Sequence, residues 1–231
     1  MIDISELVFN YRTVREDGAS AFGMRIDRFT VPAGASAALV GPSGSGKTTL
    51  LSLIAGTLRP SSGRINVNDQ IITGFSDRAL GGFRIDNVGQ VFQTFELLNY
   101  LTVIENVMLP WFIAGEGRKS EIRKRANILL SNVGLESKAL SRPDELSQGE
   151  QQRVAVCRAM LNHPSILLAD EPTGNLDQQN KQNVVDLLQA QARTYKSTLL
   201  MVTHDESLLA QFDLVLDIRS LATSPDSKTG Q

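Results

Sequence analysis

Apolar and polar residues alternate in three segments of the N-terminal part of the chain. The segments LVFNYR, FGMRIDRF and GRINVN carry apolar side chains at about every second position, and PSSG leads into the last of them. A period of two is typical of strands with one buried face, and turn residues before a strand favour a hairpin. The pattern therefore predicts an antiparallel β layer at the N-terminus.

A second group of apolar segments alternates with helical patterns. SAALV is a continuous apolar run that ends in a glycine-rich turn, and KTTLLSLIAG then has helical spacing up to Gly56. NVGQVF is a further short strand, and SILLAD, TLLMVTH and DLVLDI return later with an amphipathic helix, QQNKQNVVDLLQAQAR, between the first two. Strands that alternate with helices indicate an α/β fold with a parallel sheet.

The middle of the chain is mostly helical. From Gln93 onward, LTVIENVMLP and KSEIRKRANILLSNVGL have helical periodicity with charged outer faces. We therefore predict one domain over residues 1–218, in which residues 1–93 and 160–218 form the α/β core with its β layer. Residues 94–159 form an inserted helical subdomain. Residues 219–231 end in small and polar residues without periodicity, which predicts a disordered tail.

Composition narrows the function classes. With 231 residues, 42% apolar content and 21% charged residues, the chain is long enough to bury a large core. With a net charge of -2, the chain lacks the excess of basic residues that binding along nucleic acid requires, so no nucleic-acid partner is expected. The N-terminus lacks a signal-peptide pattern, and the apolar run VMLPWFIAG is much shorter than the roughly 20 residues that span a bilayer. We expect a cytosolic chain whose membrane role, if any, is peripheral.

The segment GPSGSGKT matches G-x-x-x-x-G-K-[ST], directly after an apolar strand and at the start of a helix. In such a loop the backbone amides and the positive end of the helix face phosphate oxygens. Lys47 is expected to contact the β and γ phosphates, and Thr48 to offer its hydroxyl to Mg²⁺. The alternative is a plain glycine-rich turn, which the flanking strand and helix disfavour. The residues predicted to surround the phosphates are Gly41, Ser43, Gly44, Ser45, Gly46, Lys47, Thr48 and Thr49.

Two carboxylates follow a later apolar strand, in ILLADEPTGNLD. In proteins with a phosphate loop, an aspartate placed like Asp170 holds Mg²⁺. Adjacent side chains on a strand point to opposite sides, so Glu171 has a different role and is able to polarise an attacking water. A solvated acidic turn is the alternative. The phosphate loop favours the ligand site, because α/β folds bind ligands at the carboxyl ends of parallel strands.

The segment LSQGEQQR has two interpretations. Ser147 with Glu150 three residues later is a capping box that begins a helix. The same serine and Gly149, together with outward-facing helix amides, also form a potential anion site. The residues alone leave both interpretations open.

The phosphate loop, LSQGEQQR, ADEPTGNLD and a later VTHD follow one another in an order that resembles the ATP-binding cassette ATPases. The resemblance covers about residues 2–218. It implies a P-loop NTPase core with a parallel sheet, an N-terminal antiparallel β subdomain and an inserted α-helical subdomain. It also implies ATP and Mg²⁺ as cofactors, and ATP hydrolysis as the activity.

The same resemblance implies roles for single residues. Tyr11 matches the aromatic residue that stacks on adenine, and Gln93 the glutamine that joins the Mg²⁺ shell. Ser147 and Gly149 match the signature motif, Asp177 the aspartate that crosses a dimer seam, and His204 the histidine near the γ-phosphate. Lys47, Glu171 and His204 are the implied catalytic residues, and Thr48, Gln93 and Asp170 the implied metal-site residues.

Several of these residues have structural alternatives. Tyr11 lies two residues from Phe9, so both could be core residues on one strand face. A lone histidine such as His204 is more often structural, and only the motif around it favours catalysis. His163 lies outside any motif and is interpreted as structural, and Cys157 as a small hydrophobic residue of a helix.

The sequence departs from the family pattern at two positions. The usual signature is LSGGQ or LSGGE, whereas Gln148 stands in the place of the first glycine. A side chain is tolerated there at negative φ, but at positive φ it would cost about 1 kcal/mol. Ala169 stands where a larger apolar residue is usual.

In this family, two copies in a head-to-tail dimer hold ATP between one phosphate loop and the other copy's signature motif. Without membrane spans of its own, such a chain drives separate integral membrane permease subunits from the cytoplasmic face of the inner membrane. A groove formed by Phe95, Leu97, Leu98 and Tyr100 is a candidate permease site. The segments LTVIENVMLP and PTGNLD resemble the corresponding sequences of the subfamily that serves lipoprotein release and macrolide export.

Two alternative functions belong to other classes of cassette protein. Cassette ATPases of DNA repair or translation commonly carry a long coiled-coil insertion or a second cassette, and this sequence has room for neither. A regulatory or scaffolding cassette, as in division-type complexes, would bind ATP without useful turnover. Lys47, Asp170, Glu171 and His204 argue against that alternative, and Gln148 is the feature that favours it.

Overall fold

The computed structural model describes residues 1–11, 23–115, 117–174 and 176–223. The strands in these residues are β1 (Ile2–Asn10), β2 (Gly23–Val31), β3 (Ser36–Val40), β4 (Ser62–Val67), β5 (Gln70–Ile71), β6 (Val88–Val91), β7 (Ile166–Asp170), β8 (Thr198–Val202), β9 (Leu214–Asp217) and β10 (Ala222–Thr223). The helices are α1 (Lys47–Ile54), α2 (Asp77–Asn87), α3 (Val103–Val107), α4 (Leu109–Ala114), α5 (Lys119–Asn132), α6 (Gln148–Met160), α7 (Gln178–Tyr195) and α8 (Ile218–Leu221).

The first sheet is antiparallel and has the strand order β10-β2-β1-β4-β5. Alternate residues of β1 and β2 are buried, as the period of two predicts. The pairing of β1 with β4 shifts register between Ser5 and Val8, where Glu6 has a left-handed φ of 51°. This bulge returns Leu7 to the buried face, so the strand stays continuous with the core. The predicted β layer is confirmed.

The second sheet is parallel and has the strand order β6-β7-β8-β3-β9. All five residues of β8 are buried, and β3 and β7 are buried in all but their last residue. Such continuous apolar strands are typical of a parallel sheet that is covered on both faces. The predicted α/β fold is confirmed. Because the strands are parallel, the loops after β3, β6, β7 and β8 all leave at the same edge of the sheet.

The helical part packs around α6. Buried side chains such as Val103 of α3, Leu129 of α5 and Val156 of α6 belong to one apolar cluster that also reaches the parallel sheet. Asn106 is fully buried and fastens the segment before α3. Its Oδ1 accepts from the Leu98 amide at 2.7 Å, and its Nδ2 donates to nearby carbonyls, among them that of Leu98 at 3.1 Å. No helix in the described ranges is both long and apolar enough to span a membrane.

The structure differs from the sequence prediction in two places. The sequence analysis did not predict α2, because this helix contains Gly81 and Gly82 and buries only Leu80 and Phe83. Residues 219–223 are not part of a disordered tail. They belong to α8 and β10, and β10 pairs with β2 through backbone hydrogen bonds that need no apolar pattern. Residues 224–231 lie outside the described part of the chain.

Candidate active site

Four strand ends of the parallel sheet bring the predicted site together. The register aligns Leu39 of β3 and Asp170 of β7 with the same β8 residue, Val202. The phosphate loop follows β3, Asp170 ends β7 with Glu171 directly after it, and His204 follows β8. Gln93 follows β6, which pairs with β7. Side chains that are far apart in sequence therefore meet at one edge of the sheet.

The glycines of the phosphate loop are required by its conformation. Gly41 has a φ of 149°, and a Cβ atom there would lie 2.6 Å from Cγ2 of Ile218. Gly44 and Gly46 have φ values of 74° and 93°, which non-glycine residues rarely adopt. Gly46 caps α1 and supplies no side-chain bond to the first helix amides. Those amides are therefore available to an anion.

Lys47 and Ser45 both have polar groups that suit a phosphate. The buried ammonium of Lys47 donates to the carbonyls of Gly41 and Pro42, both at 2.9 Å. The Oγ atom of Ser45 is buried and has no hydrogen-bond partner among the described residues. Buried polar atoms are nearly always paired, so an unpaired hydroxyl in this loop fits a site that receives a polar ligand. A nucleotide phosphate supplies such a partner.

A cavity of about 330 Å³ lies over the loop. Tyr11 lines it and is 39% exposed, with its hydroxyl 3.3 Å from Oγ1 of Thr49. Phe9 is buried in the core and contacts the Tyr11 ring edge-to-face at 4.8 Å between centroids. The two aromatic residues thus have different surroundings, because only Tyr11 reaches the cavity. The lining residues are Tyr11, Ser43, Gly44, Gly46, Lys47, Thr48, Thr49 and Glu171.

Asp170 is the last residue of β7, and its side chain is close to the phosphate loop. Burial raises the pKa of its carboxyl, and the nearby Glu171 adds to this. A hydrogen bond from the Thr48 side chain and the charge of Lys47 lower that pKa and so favour the carboxylate. No group of three or more His, Cys, Asp or Glu side chains in the described ranges could hold a metal. A cation beside Thr48 and Asp170 would take its other ligands from phosphate and water, which is how Mg²⁺ is usually bound with nucleotides.

Glu171 and His204 form a pair at the open edge. Oε2 of Glu171 lies 3.3 Å from Nδ1 of His204, and their side chains are 27% and 62% exposed. Glu171 has a left-handed φ of 46°, and its amide donates to the Val202 carbonyl at 3.1 Å. A left-handed non-glycine residue at this point indicates a locally constrained backbone. Glu171 thus lines the cavity over the phosphate loop and has the imidazole beside it.

Gln93 contacts the segment that follows Glu171. A Cβ atom on Gly174 would lie 2.7 Å from Nε2 of Gln93, so the backbone at Gly174 and the glutamine side chain approach closely. The sequence analysis did not identify Gly174 as a site residue. A glycine three residues after Glu171 was the available signal, because glycine is common where another group approaches the backbone.

Ser147, Gly149 and Asp177 lie on a different surface. None of the three is among the residues that line the cavity over the phosphate loop. Asp177 caps α7 by accepting from the Asn180 amide at 3.0 Å. A Cβ atom on Gly149 would lie 3.0 Å from Oδ1 of Asn180, so the start of α6 and the start of α7 adjoin. The sequence analysis did not identify Asn180. Its position three residues after Asp177 was the available signal, because an N-cap aspartate accepts from the amide at that position.

The capping box predicted for Ser147 is confirmed. Its Oγ accepts from the Glu150 amide at 3.3 Å, and a carboxylate oxygen of Glu150 accepts from the Ser147 amide at 2.8 Å. The Ser147 amide and the Ser147 hydroxyl, which donates to the same carboxylate at 2.9 Å, lower the pKa of Glu150. Gln148 is exposed, begins α6 and is not among the described residues with positive φ. The backbone at position 148 therefore does not require glycine.

The apolar groove has a different lining from the predicted one. A groove of about 490 Å³ lies between α2, β6, α4 and α6. Phe95, Leu97, Leu98 and Tyr100 do not line it, because Leu97 packs on the helical core and Tyr100 is 71% exposed. Arg158 lies at the groove and donates to the carbonyls of Phe95 and Glu96. The apolar side chains that line the groove are Ile85, Val88, Phe92, Leu109, Pro110 and Ile113.

Two other reactive side chains lie outside this site. The His163 ring lies 4.5 Å from that of Tyr195, and burial lowers the pKa of the histidine. The Cys157 thiol is buried, donates to the Leu129 carbonyl, and has its pKa raised by burial to about 12. Both have structural contacts, which agrees with their interpretation from the sequence.

The sequence profile of the ABC transporter family matches residues 25–174. The chain belongs to the ABC transporter family. Over 191 residues it is 44% identical to the lipoprotein-releasing system ATP-binding protein LolD of Psychrobacter arcticus, an alignment that covers 83% of this chain and 84% of that protein. Over 179 residues it is 44% identical to the ABC transporter ATP-binding protein YtrE of Bacillus subtilis, covering 78% and 77% of the two chains.

Solved ABC cassettes have the same fold. One is a dimeric ATP-binding cassette in a post-hydrolysis state, bound to ADP and Pi. It superimposes with a TM-score of 0.82 at 32% identity and covers 97% of this chain and 98% of that chain. The P-loop NTPase fold of an ABC cassette is therefore confirmed. The protein is the ATP-binding subunit of an ABC transporter, and its enzymatic activity is ATP hydrolysis.

Proposed function

We propose that the phosphates of ATP lie in the cavity over the phosphate loop, with the adenine stacked on Tyr11. The main support is that the phosphate loop, Asp170, Glu171 and His204 all lie at one edge of the parallel sheet. Lys47 exchanges the carbonyls of Gly41 and Pro42 for phosphate oxygens. The loop amides and the Ser45 hydroxyl complete the phosphate contacts.

Glu171 is the general base in this proposal. Its carboxylate orients a water toward the γ-phosphate and accepts the proton as the water attacks. His204, at 3.3 Å from Glu171, donates to a γ-phosphate oxygen. Thr48, Asp170 and Gln93 would hold the Mg²⁺ that accompanies ATP. When bound, that ion neutralises developing charge on the phosphates.

A second copy completes the site. Ser147, Gly149 and Asp177 do not line their own chain's cavity, yet they share one surface at the starts of α6 and α7. In a head-to-tail dimer this surface faces the γ-phosphate held by the other copy. The amides at the start of α6 and the Ser147 hydroxyl then meet an anion, so capping and phosphate binding use the same groups.

The dimer drives an integral membrane permease from the cytoplasmic face of the inner membrane. The apolar groove between α2 and α4 is the proposed permease site, since it lies next to the segment that follows Gln93. The lipoprotein-releasing relatives favour an exporter of that type. A permease segment with apolar side chains would fill the groove, while Arg84 and Glu96 at its rim meet polar groups.

A steady-state ATPase assay tests the chemistry. The full chain should release phosphate from ATP, Lys47→Ala should fall to background, and Glu171→Gln should retain ATP binding but lose turnover by about 100-fold or more. Size-exclusion chromatography of Glu171→Gln with ATP should then give a dimer. Equal turnover of the wild-type protein and Lys47→Ala would contradict the proposal and favour a scaffolding cassette.

The permease is tested by affinity purification. Tagged Glu171→Gln is solubilised with detergent from membranes of the native host, with and without ATP. Recovery of a multi-span membrane protein with ATP supports the transporter role, and the periplasmic part of that protein would indicate the cargo. Recovery of soluble proteins or nucleic acid alone would contradict the membrane role and leave the ATPase activity in place.

A further inference from the structure

An ion pair joins the first turn of α7 to the loop that carries His204. Nζ of Lys181 donates to Oδ2 of Asp205 at 2.9 Å. Their side chains are only 21% and 17% exposed, less than both members of any other ion pair in the described ranges. Exposed ion pairs contribute little to stability because water and salt screen them. We therefore expect this less exposed pair to contribute more to holding the two segments together.

Asp205 is fixed by several further bonds. Its Oδ1 accepts from the amide of Ser207 at 3.1 Å and from the Ser207 hydroxyl at 2.6 Å. Its own amide donates to Oγ1 of Thr203 at 3.1 Å. The Ser207 and Lys181 bonds hold the pKa of Asp205 down to about 2, so it is charged throughout the physiological range. The residue next to His204 is therefore a fixed anion, and in the described part of the chain its ion-pair partner, Lys181, comes from α7.

Lys181 is fixed at the other end of the pair. Its backbone amide donates to the carbonyl of Asp177, the residue that caps α7, at 2.9 Å. The lysine thus lies one turn into the helix and on the same rigid element as Asp177. The ion pair connects the capped start of α7, at the surface shared with Gly149, to the strand end that bears His204.

His204 depends on its neighbours for its position. Its side chain is 62% exposed, so packing contributes little to holding the imidazole near Glu171. Thr203 is held on one side, because its amide donates to the Leu39 carbonyl at 3.3 Å. Asp205 is held on the other side, by Ser207 and Lys181. Loss of the lysine contact would release that second side from α7.

We propose that Lys181 is a positioning residue: by holding Asp205 against α7, it keeps the His204 imidazole within reach of Glu171 and the γ-phosphate. This inference rests on the proposed function of Glu171 and His204. Lys181 itself is not among the residues that line the cavity over the phosphate loop. Its effect belongs to the hydrolysis step, and ATP binding depends on the phosphate loop instead.

Single-turnover and steady-state ATP hydrolysis by the full chain test the proposal. Lys181→Met should lower kcat by about tenfold or more, because small displacements of a reacting group are costly, and should change KM by less than about twofold. Lys181→Arg keeps the charge and should recover most of kcat. Gln179→Met is the matched control, since this exposed side chain in the same turn bonds only to Asn183 in the described contacts and should keep wild-type kcat.

A second variant separates positioning from a general structural effect. If Lys181 acts through His204, adding Lys181→Met to His204→Ala should cause no further loss of kcat. A further fall as large as in the wild-type background would overturn the proposal, as would an unchanged kcat in Lys181→Met alone. Should the methionine variant unfold at the assay temperature, Lys181→Gln replaces it with the same expected result.

The controls distinguish this inference from the proposed function. If Lys47→Ala and Glu171→Gln lose turnover while Lys181→Met does not, the positioning role is wrong and the hydrolytic site stands. If Lys47→Ala hydrolyses ATP like the wild type, the site itself has been misassigned and the positioning role fails with it.

Discussion

Replacement of Arg158 by methionine tests how the helical part holds the segment after Gln93. Arg158 is nearly buried on α6, and its guanidinium donates to the carbonyls of Phe95, at 2.7 Å, and Glu96. Burial lowers its pKa, and the charge of Glu96 acts in the opposite direction. Methionine keeps an apolar side chain on α6 but leaves both carbonyls without this donor.

The expected loss of stability follows from these two bonds. Hydrogen bonds to a charged group contribute about 1.5–3 kcal/mol each. Removal of the buried cation also removes its desolvation cost, which offsets part of the free energy lost with the two hydrogen bonds. The net destabilisation is then about 2–3 kcal/mol. For a chain of this length, 1 kcal/mol shifts Tm by roughly 2–4 °C, so Arg158→Met should melt roughly 4–12 °C below wild type. Turnover should also fall, because Gln93 is two residues from Phe95.

Thermal and urea unfolding provide the assay. Arg118→Met is the matched control, because that arginine is 85% exposed and its contact to Glu121 is 3.9 Å long. The control should stay within about 0.5 kcal/mol of wild type. A Tm of Arg158→Met within about 1 °C of wild type would refute the reasoning. It would mean that other contacts, such as the bond from the Leu98 amide to Asn106, hold the segment after Gln93 without Arg158.

Three further predictions concern α6 and the His204 loop. Ser147→Ala removes a helix cap and should cost about 1 kcal/mol in urea unfolding, whereas Ser147→Thr should cost less. Cys157, with its pKa raised to about 12, should resist iodoacetamide at about pH 8 in the native protein and react once urea unfolds it; rapid labelling of native protein would contradict its burial. Asp205 has a folded pKa of about 2, below its unfolded value of about 3.9. Its contribution to stability is therefore complete above about pH 4 and is lost as the pH falls through 2. Urea midpoints of Asp205→Asn should accordingly fall less over this range than those of wild type.

The sequence predicted the features whose causes are local. The capping box depends on Ser147 and Glu150, three residues apart, and the phosphate loop on glycines within eight residues. The parallel sheet followed from apolar runs between helical patterns, and that topology alone predicts that Asp170 and His204 meet at one edge. These features need no knowledge of tertiary contacts.

The rest depended on contacts between distant segments. Helix α2 has too few apolar residues for its period to stand out, and it is held by packing of Leu80 and Phe83. The strand β10 exists because its backbone pairs with β2. The groove lining was misassigned because the four predicted residues lie in the segment between β6 and α3, where no period indicates the direction of a side chain. The contact between Lys181 and Asp205 joins residues 24 positions apart, which no local pattern encodes.

The start of α7 connects the two surfaces of the proposed site. Asp177 lies on the surface that would meet a second copy, while Lys181, one turn later, contacts the loop of His204. The first turn of a capped helix moves as a unit, whereas the side chain of His204 is 62% exposed and has little packing of its own to fix it. Closure of a dimer against Asp177 would therefore reach His204 through Lys181 without passing through the nucleotide. On this argument, Lys181→Met should leave ATP-dependent dimerisation of Glu171→Gln intact and affect only the hydrolysis that follows in a chain with Glu171. Loss of dimerisation in the doubly substituted chain would show instead that α7 acts before closure.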